Sequence, residues 1–256
     1  MIYQKILGRD ISEKTAVEIE RICNYIQHPV VFNELPENNP YGFGRADWFA
    51  EPNWIVFSIT NLPQPFFEAN LLHELYHLCQ YYEGFPMTQT KVQPRLSPKD
   101  QGFLDRIGSA SASLVLDLDV CDRIKKFGLS SGYFFDIRYH QVMSFHFDRL
   151  TYRDDQVSMI LRIAGIILQN DPWQARNVIQ HYHSKNKYIT QRAQKLASRI
   201  KRYDHNSPKG CIKCLTVMYD YLKIWDWQTI TFRGAVFPDS QAANTFLGNC
   251  GHPDRE

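Results

Sequence analysis

The pentapeptide His73-Glu74-Leu75-Tyr76-His77 holds the residue types best suited to chemistry in this chain. Two histidines four residues apart on a helix project from one face, so both imidazoles can bind one Zn²⁺ at about 2.0–2.1 Å. Glu74 lies between them, where it can take a proton from a water whose pKa zinc lowers from about 15.7 toward about 7. The spacing predicts a zinc-dependent hydrolase with Glu74 as the catalytic residue.

The motif also has a helical pattern around it. At 100° per residue the polar side chains fall on one arc and the apolar ones on the opposite arc. The polar arc holds Asn70, His73, Glu74, His77, Gln80 and Tyr81, and the apolar arc holds Leu71, Leu75, Leu78, Cys79 and Tyr82. We therefore expect both histidines to face a cleft and the leucines to face the core.

The elements before the motif are predicted from capping and β-propensity. Residues 11–25 have a helical pattern with Ser12 as the cap, and residues 30–32 form a short strand followed by a loop over 33–44. Residues 54–59 are β-branched and aromatic and form the clearest strand in the chain. The motif helix then begins near Pro65 and ends at Glu83, before Gly84 and Pro86.

Beyond the motif, residues 87–101 are polar and contain two prolines, which predicts a structureless connection that acts as a lid or is disordered. A second helix covers 103–127 and ends at Gly128. Later helices are expected over 154–168, 173–182, 188–203 and 211–224, with one late strand over 229–232. The fold class is α+β: residues 1–130 form a domain with a small mixed sheet and the motif helix, and residues 131–256 form a mainly helical extension.

The strand at 54–59 followed by the His73-Glu74-Leu75-Tyr76-His77 helix resembles the zincin metallopeptidases. The layout of residues 11–125 is more narrowly similar to the small cytosolic ImmA/IrrE-like branch. The resemblance implies a peptide or protein substrate, which would pair in extended form with a strand along the cleft, here residues 55–59. It also implies that a peptidase of this branch cuts one cytosolic protein, such as a repressor.

Zinc needs a third protein ligand besides the two histidines. On the second helix Asp117 falls on the apolar side, whereas Asp119 shares a solvated arc with Arg123 and Lys126. A carboxylate on a core-facing arc is costly unless it is paired or binds a metal, so Asp117 is our expected ligand. Asp122 is the second choice and Asp119 the third, and an ion pair with arginine is the alternative explanation of Asp117. Zincins of this kind more often have Glu at this position.

No histidine occurs between His77 and His140. His140 and His146 could approach the metal or stabilise the oxyanion of the tetrahedral intermediate. The alternative is that both are ordinary, partly buried histidines.

Two weaker patterns remain. Cys211 and Cys214, with Cys250 and His252, could form a second, structural zinc site, although a lone Cys-x-x-Cys on an apolar helix is more often part of the packed core.

The stretch 176–213 holds ten Lys or Arg residues against one acidic residue, Asp204. It could bind nucleic acid, or it could be the solvated face of helices.

The whole-chain composition adds limits. The net charge is +2, which makes no case for a nucleic-acid or membrane partner, and we find neither a secretory signal nor a membrane span. Six cysteines without a signal indicate reduced thiols and a cytoplasmic protein. The function predicted is a cytosolic zinc peptidase. The alternative is a regulatory module that binds protein or nucleic acid on a zincin fold with little or no turnover.

Overall fold

A computed structural model describes residues 3–35, 44–49, 54–60, 62–64, 66–130, 132–145, 153–169 and 171–249. The fold is α+β and mostly helical, with nine helices and three small sheets in these ranges. The chain forms two compact units: the first comprises Met1–Glu83 and Val120–Tyr133, and the second comprises Gly84–Asp119 and Phe134–Glu256. The sequence predicts a domain boundary at residue 130, close to the division between Tyr133 and Phe134, and this boundary stays a prediction.

Within the described ranges, no helix combines the length and the hydropathy that crossing a bilayer requires.

The first unit contains two small sheets. Strands β1 (Lys5–Ile6) and β2 (Arg9–Asp10) form a short antiparallel pair. The second sheet has the order β3-β5-β4, from strands β3 (Val30–Leu35), β4 (Gly44–Phe49) and β5 (Trp54–Thr60). β3 runs parallel to β5 with Val30 opposite Ile55, and β4 runs antiparallel to β5 with Gly44 opposite Ile59. The sheet is therefore mixed, as predicted.

This topology corrects the expected role of residues 55–59. β5 is the central strand, hydrogen-bonded to β3 on one side and to β4 on the other. Its backbone groups are used within the sheet, so an extended peptide cannot pair with it. The predicted loop over 33–44 is also wrong at both ends, because β3 continues to Leu35 and β4 begins at Gly44. Residues 36–43 of that loop lie outside the described ranges.

Two helices pack against this sheet. α1 (Glu13–Ile26) begins as predicted after Ser12, whose side chain accepts a hydrogen bond from the Thr15 backbone. α2 (Phe66–Glu83) carries the motif, and Gly84 follows it with φ +78°. Glu68 of α2 accepts hydrogen bonds from the hydroxyls of Ser12 and Thr15, which joins the first turns of the two helices. The core between the elements of this unit consists of apolar residues such as Ile19, Ile22, Phe57, Leu71, Leu72 and Leu75.

The helix α3 (Pro98–Phe127) contributes to both units. Val120 and Ile124 belong to the core that contains the leucines of α2, whereas Leu114 and Val115 belong to the core of the second unit. It begins earlier than the predicted 103–127 helix and ends at the predicted residue, before Gly128 with φ +91°.

The second unit contains the third sheet and most of the helices. β6 (Met87–Thr90) pairs antiparallel with β7 (Gln228–Phe232), which pairs with β8 (Ala235–Phe237). The helices are α4 (Gly132–Met143), α5 (Arg153–Gln169), α6 (Pro172–Lys185), α7 (Lys187–Ile200), α8 (Pro208–Leu222) and α9 (Ser240–Asn249). α5 to α8 and β7 confirm the predicted elements. The structureless connection over 87–101 is wrong, because β6 and the first turn of α3 occupy part of it.

Candidate metal centre

The position of α2 is fixed by contacts on several sides. Leu71, Leu72 and Leu75 are fully buried in the core of the first unit. Asn70 donates a side-chain hydrogen bond to the carbonyl oxygen of Thr60, at the end of β5. Tyr76, inside the motif, donates from its hydroxyl to Glu18 Oε1 of α1 at 3.0 Å. These contacts restrain the rotation of α2 about its axis, and with it the direction in which the two histidines point.

The two motif histidines bring one ring nitrogen each to the same place. His73 Nε2 and His77 Nε2 lie 3.2 Å apart, and the ring planes meet at 80°. Two nitrogen ligands at about 2.05 Å from a tetrahedral zinc ion would be about 3.3 Å apart. The separation of the two nitrogens fits this requirement.

Gln80 sets the orientation of the His77 ring. Its Oε1 lies 2.9 Å from His77 Nδ1 and can only accept, so Nδ1 carries the proton and Nε2 presents its lone pair. Histidines that bind metals almost always donate their other N–H in this way. The sequence placed Gln80 on the polar arc without a role, although its spacing of three residues from His77 was a usable signal.

Burial around the histidines differs from the prediction. His73 is only 7% exposed, and Asn70 and Gln80, from the same polar arc, are buried as well. His77 and Glu74 are partly buried, and Tyr81 is exposed. The polar arc is therefore largely covered instead of lining an open cleft, because polar residues such as Asn70 and Gln80 form hydrogen bonds inside the fold.

Burial and charge also set the protonation of groups near the motif. Burial raises the pKa of the Tyr76 hydroxyl, and the nearby Glu18 raises it further. Burial opposes the charge of Glu18, but hydrogen bonds from Arg21 and Tyr76 outweigh it and hold the pKa of Glu18 below its ordinary value. Burial raises the pKa of Cys79 to about 12, so this thiol stays protonated in the core.

Asp117 of α3 joins the two histidines in a group that could hold a metal ion. One ligand atom from each of His73, His77 and Asp117 lies within 4.8 Å of the others. Asp117 precedes Val120 by about one helical turn, and Val120 packs in the core that contains Leu75.

Asp117 also has an arginine partner, which is the alternative explanation of its burial. The side chain is 1% exposed, and Oδ2 accepts a hydrogen bond from Arg138 Nη2 of α4. Arg138 in turn donates to Gln169 of α5. The expected burial of Asp117 is confirmed, and the ion pair shows that its charge is balanced inside the second unit. The hydrogen bond from Arg138 is made to Oδ2, one of the two carboxylate oxygens of Asp117.

The other two candidate carboxylates have different surroundings. Asp119 is only 4% exposed, so its assignment to a solvated arc is wrong. α3 is long and is covered on more than one side, which buries residues on opposite faces such as Asp117 and Asp119. Burial raises the pKa of the Cys211 thiol, and the neighbouring Cys214 and Asp119 raise it further. Asp122 is partly buried, and neither residue belongs to the group with His73 and His77.

The remaining candidates lie elsewhere or outside the described ranges. His140 is exposed on α4, next to the Tyr139 ring at 5.4 Å between centroids. His146 lies outside the described residues, so an oxyanion role for either histidine stays a prediction. Cys211 and Cys214 are fully buried in α8, and Cys211 donates to the carbonyl oxygen of His205. Burial raises the pKa of Cys214 to about 12, which favours packed, protonated thiols over zinc ligands. Cys250 and His252 lie outside the described residues.

Comparisons of the chain with protein-family models, with curated proteins and with solved structures give no match. The zincin resemblance therefore depends on the five-residue motif and the layout of the first unit.

Proposed function

We propose that this protein is a zinc metallohydrolase, and specifically a cytoplasmic peptidase with a zincin-like first unit. The observation that carries the proposal is the convergence of His73 Nε2 and His77 Nε2 to 3.2 Å, with Gln80 accepting from His77 Nδ1. Two imidazoles so oriented and so close are the arrangement that a tetrahedral ion requires. The five cysteines that the structure describes are free thiols, as is usual for cytoplasmic proteins.

In this proposal His73, His77 and Asp117 hold the ion. A bound zinc ion would act as a Lewis acid that polarises the scissile carbonyl and lowers the pKa of water. Glu74 follows His73 directly and is partly buried, so its carboxylate would accept the proton of the attacking water and pass it to the leaving amine. Arg138 would orient the Asp117 carboxylate through their ion pair.

The peptide class of substrate is supported by β4. One side of β4 is paired with β5, and among the described residues no other strand pairs with its second side. β4 also packs against α2, the helix that bears the motif. An unpaired strand edge can add an extended peptide by main-chain hydrogen bonds. β4 therefore replaces β5 as the strand that would align the substrate beside His73 and Glu74.

The direct test separates metal binding from hydrolysis. We expect the purified protein to bind one zinc ion and to cleave members of a quenched-fluorescent peptide library, and to lose cleavage in Glu74→Gln while it retains zinc. The matched control is Glu13→Gln, which removes an exposed carboxylate from α1 of the same unit. An undiminished rate in Glu74→Gln would remove Glu74 from the mechanism. Zinc binding without cleavage of the library or of any cytosolic protein would favour the binding-module alternative.

The third ligand is tested by three matched substitutions. Asp117→Asn should lower zinc affinity by at least the factor of about 10–100 known for disturbed metal shells, whereas Asp119→Asn and Asp122→Asn should leave it unchanged. Affinity is measured by competition with a chromophoric chelator. If Asp119→Asn or Asp122→Asn lowered the affinity instead, that residue would replace Asp117 as the ligand.

A further inference from the structure

A basic groove lies within the second unit, between α7 and α8. It is lined by Lys195, Ser198, Arg199, Arg202, Tyr203 and Val217, and we call it the α7–α8 groove. It has no role in the proposed hydrolysis, and it is built from elements that do not include α2.

The charge of this region is not balanced along the chain. No acidic residue occurs between Asp171 and Asp204, whereas eight Lys or Arg residues do. Lys195, Arg199 and Arg202 are all exposed on the outer side of α7 and the turn that follows it. Asp204, the next acidic residue, accepts a hydrogen bond from the Asn206 backbone. The groove therefore has a positive potential that can attract anions from solution.

The basic residues are regularly spaced. Arg192, Lys195, Arg199 and Arg202 follow one another at intervals of three or four residues, which is about 4.5–6 Å of rise along a helix. α8 presents Lys209, Lys213, Val217 and Tyr221 at intervals of four, so Lys213 lies one turn from the Val217 that lines the groove. Cations spread along both walls suit a linear polyanion better than a single phosphate, which needs its donors at one point.

Two arginines are held in place by an aromatic ring. The guanidinium carbons of Arg192 and Arg199 each lie 4.8 Å from the centroid of the Tyr221 ring. Arg192 also donates to the Tyr221 carbonyl oxygen at 2.5 Å. These contacts reduce the rotamer freedom that the two side chains would lose on binding a phosphate.

An aromatic side chain lies at each end of this row, and the guanidinium carbon of Arg192 lies 5.6 Å from the centroid of one of them, Tyr188. Tyr188 is 56% exposed at the start of α7, and Tyr203 lines the groove near Arg202. Proteins that bind single strands combine a basic groove with aromatic rings on which bases stack. A membrane surface is disfavoured, because α7 buries its entire apolar side: Ile189, Ala193, Leu196, Ala197 and Ile200 are at most 1% exposed.

We propose that the α7–α8 groove binds the phosphate backbone of single-stranded nucleic acid, with Lys195, Arg199 and Arg202 as phosphate contacts and Tyr188 or Tyr203 as a stacking platform. This proposal is independent of the metal site. It accounts for a local excess of positive charge in a chain whose net charge is only +2.

The test uses fluorescence anisotropy of the full chain with a labelled 12-nucleotide single strand of mixed sequence at several salt concentrations. Each neutralised phosphate contributes about −0.7 to the slope of log affinity against log salt, so three contacts predict a slope near −2. The triple variant Lys195→Gln, Arg199→Gln, Arg202→Gln should lose about tenfold or more in affinity and most of this slope. The matched control Lys99→Gln, Lys125→Gln, Lys126→Gln removes three exposed charges elsewhere and should bind like the unmodified chain.

Arg199 packs on Tyr221, so the triple variant could lose affinity by misfolding. The double variant Lys195→Gln, Arg202→Gln avoids this, because it keeps Arg199 and changes only exposed side chains. It should lose part of the affinity and about 1.4 of the slope. An equal loss in the control triple would overturn the proposal, as would absence of salt-sensitive binding. Tighter binding of duplex DNA or of phosphatidylserine vesicles than of the single strand would also overturn it. If inorganic phosphate at low millimolar concentration displaced the single strand completely, the groove would be a simple anion site and the proposal would be wrong.

Discussion

Gln80 determines which ring nitrogen of His77 is available to a metal. Because the amide oxygen accepts from Nδ1, the lone pair on Nε2 points toward His73 Nε2. Asp117 also depends on a neighbouring side chain, because Arg138 balances the charge of its carboxylate. At the scale of single residues, the chemistry of the motif therefore depends on side chains outside it.

We expect Gln80→Leu to weaken zinc binding by about 10–100-fold, because the His77 ring loses the acceptor that fixes its tautomer. Zinc affinity is measured by chelator competition. Gln80→Glu keeps an acceptor oxygen at a similar reach and should bind zinc close to normally. Equal affinity of Gln80→Leu and the unmodified protein would show that Gln80 does not position the ring.

The bond from Tyr76 to Glu18 predicts an acid-sensitive stability. Glu18 has a folded-state pKa below its ordinary value, so it stabilises the fold above the ordinary carboxyl range, and this contribution is lost as pH falls through the lowered pKa. Tyr76→Phe should reduce the free energy of unfolding by about 1–2 kcal/mol at neutral pH. The difference between the two proteins in urea titrations should shrink as the pH is lowered. A difference independent of pH would contradict the assigned bond.

At the scale of elements, helix ends and close approaches between backbones decide which substitutions the fold tolerates. Gly210 lies in the first turn of α8, where Ser207 accepts from its backbone N–H. A Cβ placed at Gly210 would lie 1.4 Å from the Asp204 carbonyl oxygen, whereas one at Gly102 of α3 would meet no atom within 4 Å. The fold therefore has no room for a side chain at Gly210, whereas it has room for one at Gly102.

We expect Gly210→Ala to destabilise the protein by about 3 kcal/mol, because the backbone at the start of α8 must move to relieve the overlap. Gly102→Ala should stabilise it by up to about 1 kcal/mol, since alanine favours the helix and nothing opposes its methyl group. Urea unfolding measures both. A neutral Gly210→Ala would show that the chain before α8 is not held near Asp204.

At the scale of the whole molecule, metal binding and folding are linked. His73 and His77 come together only on folded α2, so zinc should bind the folded chain far better than the unfolded one. The chain is also divided into two units, and α3 contributes to the cores of both. Binding at α2 can therefore stabilise at least the unit to which the helix belongs.

Zinc at about 100 times its dissociation constant should raise the free energy of unfolding by about 2.7 kcal/mol, and a chelator should reverse this. Thermal or urea unfolding with and without zinc checks it. His73→Ala and His77→Ala should abolish the effect. Cys214→Ser should retain it, because that thiol is buried in α8. Loss of the zinc effect in Cys214→Ser alone would move the metal site to the cysteines.

The sequence by itself determined the features that depend on local interactions. The cap at Ser12, the helical pattern of α2, the strand β5 and the helices α5 to α8 are confirmed, because caps and periodicity act between residues a few positions apart. The four-residue spacing of His73 and His77 likewise sufficed to bring their Nε2 atoms together on one helix.

Only the tertiary structure decided which distant segments meet. β6 pairs with β7 across about 140 residues of chain, and β5 lies between β3 and β4, because sheets form by backbone hydrogen bonds that all residue types except proline can make. The helical periodicity correctly predicted that Asp117 is buried but wrongly predicted that Asp119 is exposed. A periodicity argument assumes that a helix has one buried face, whereas α3 is covered on several faces. The partners Arg138 and Gln169 of that buried carboxylate network come from other helices, and no local pattern in the chain marks them.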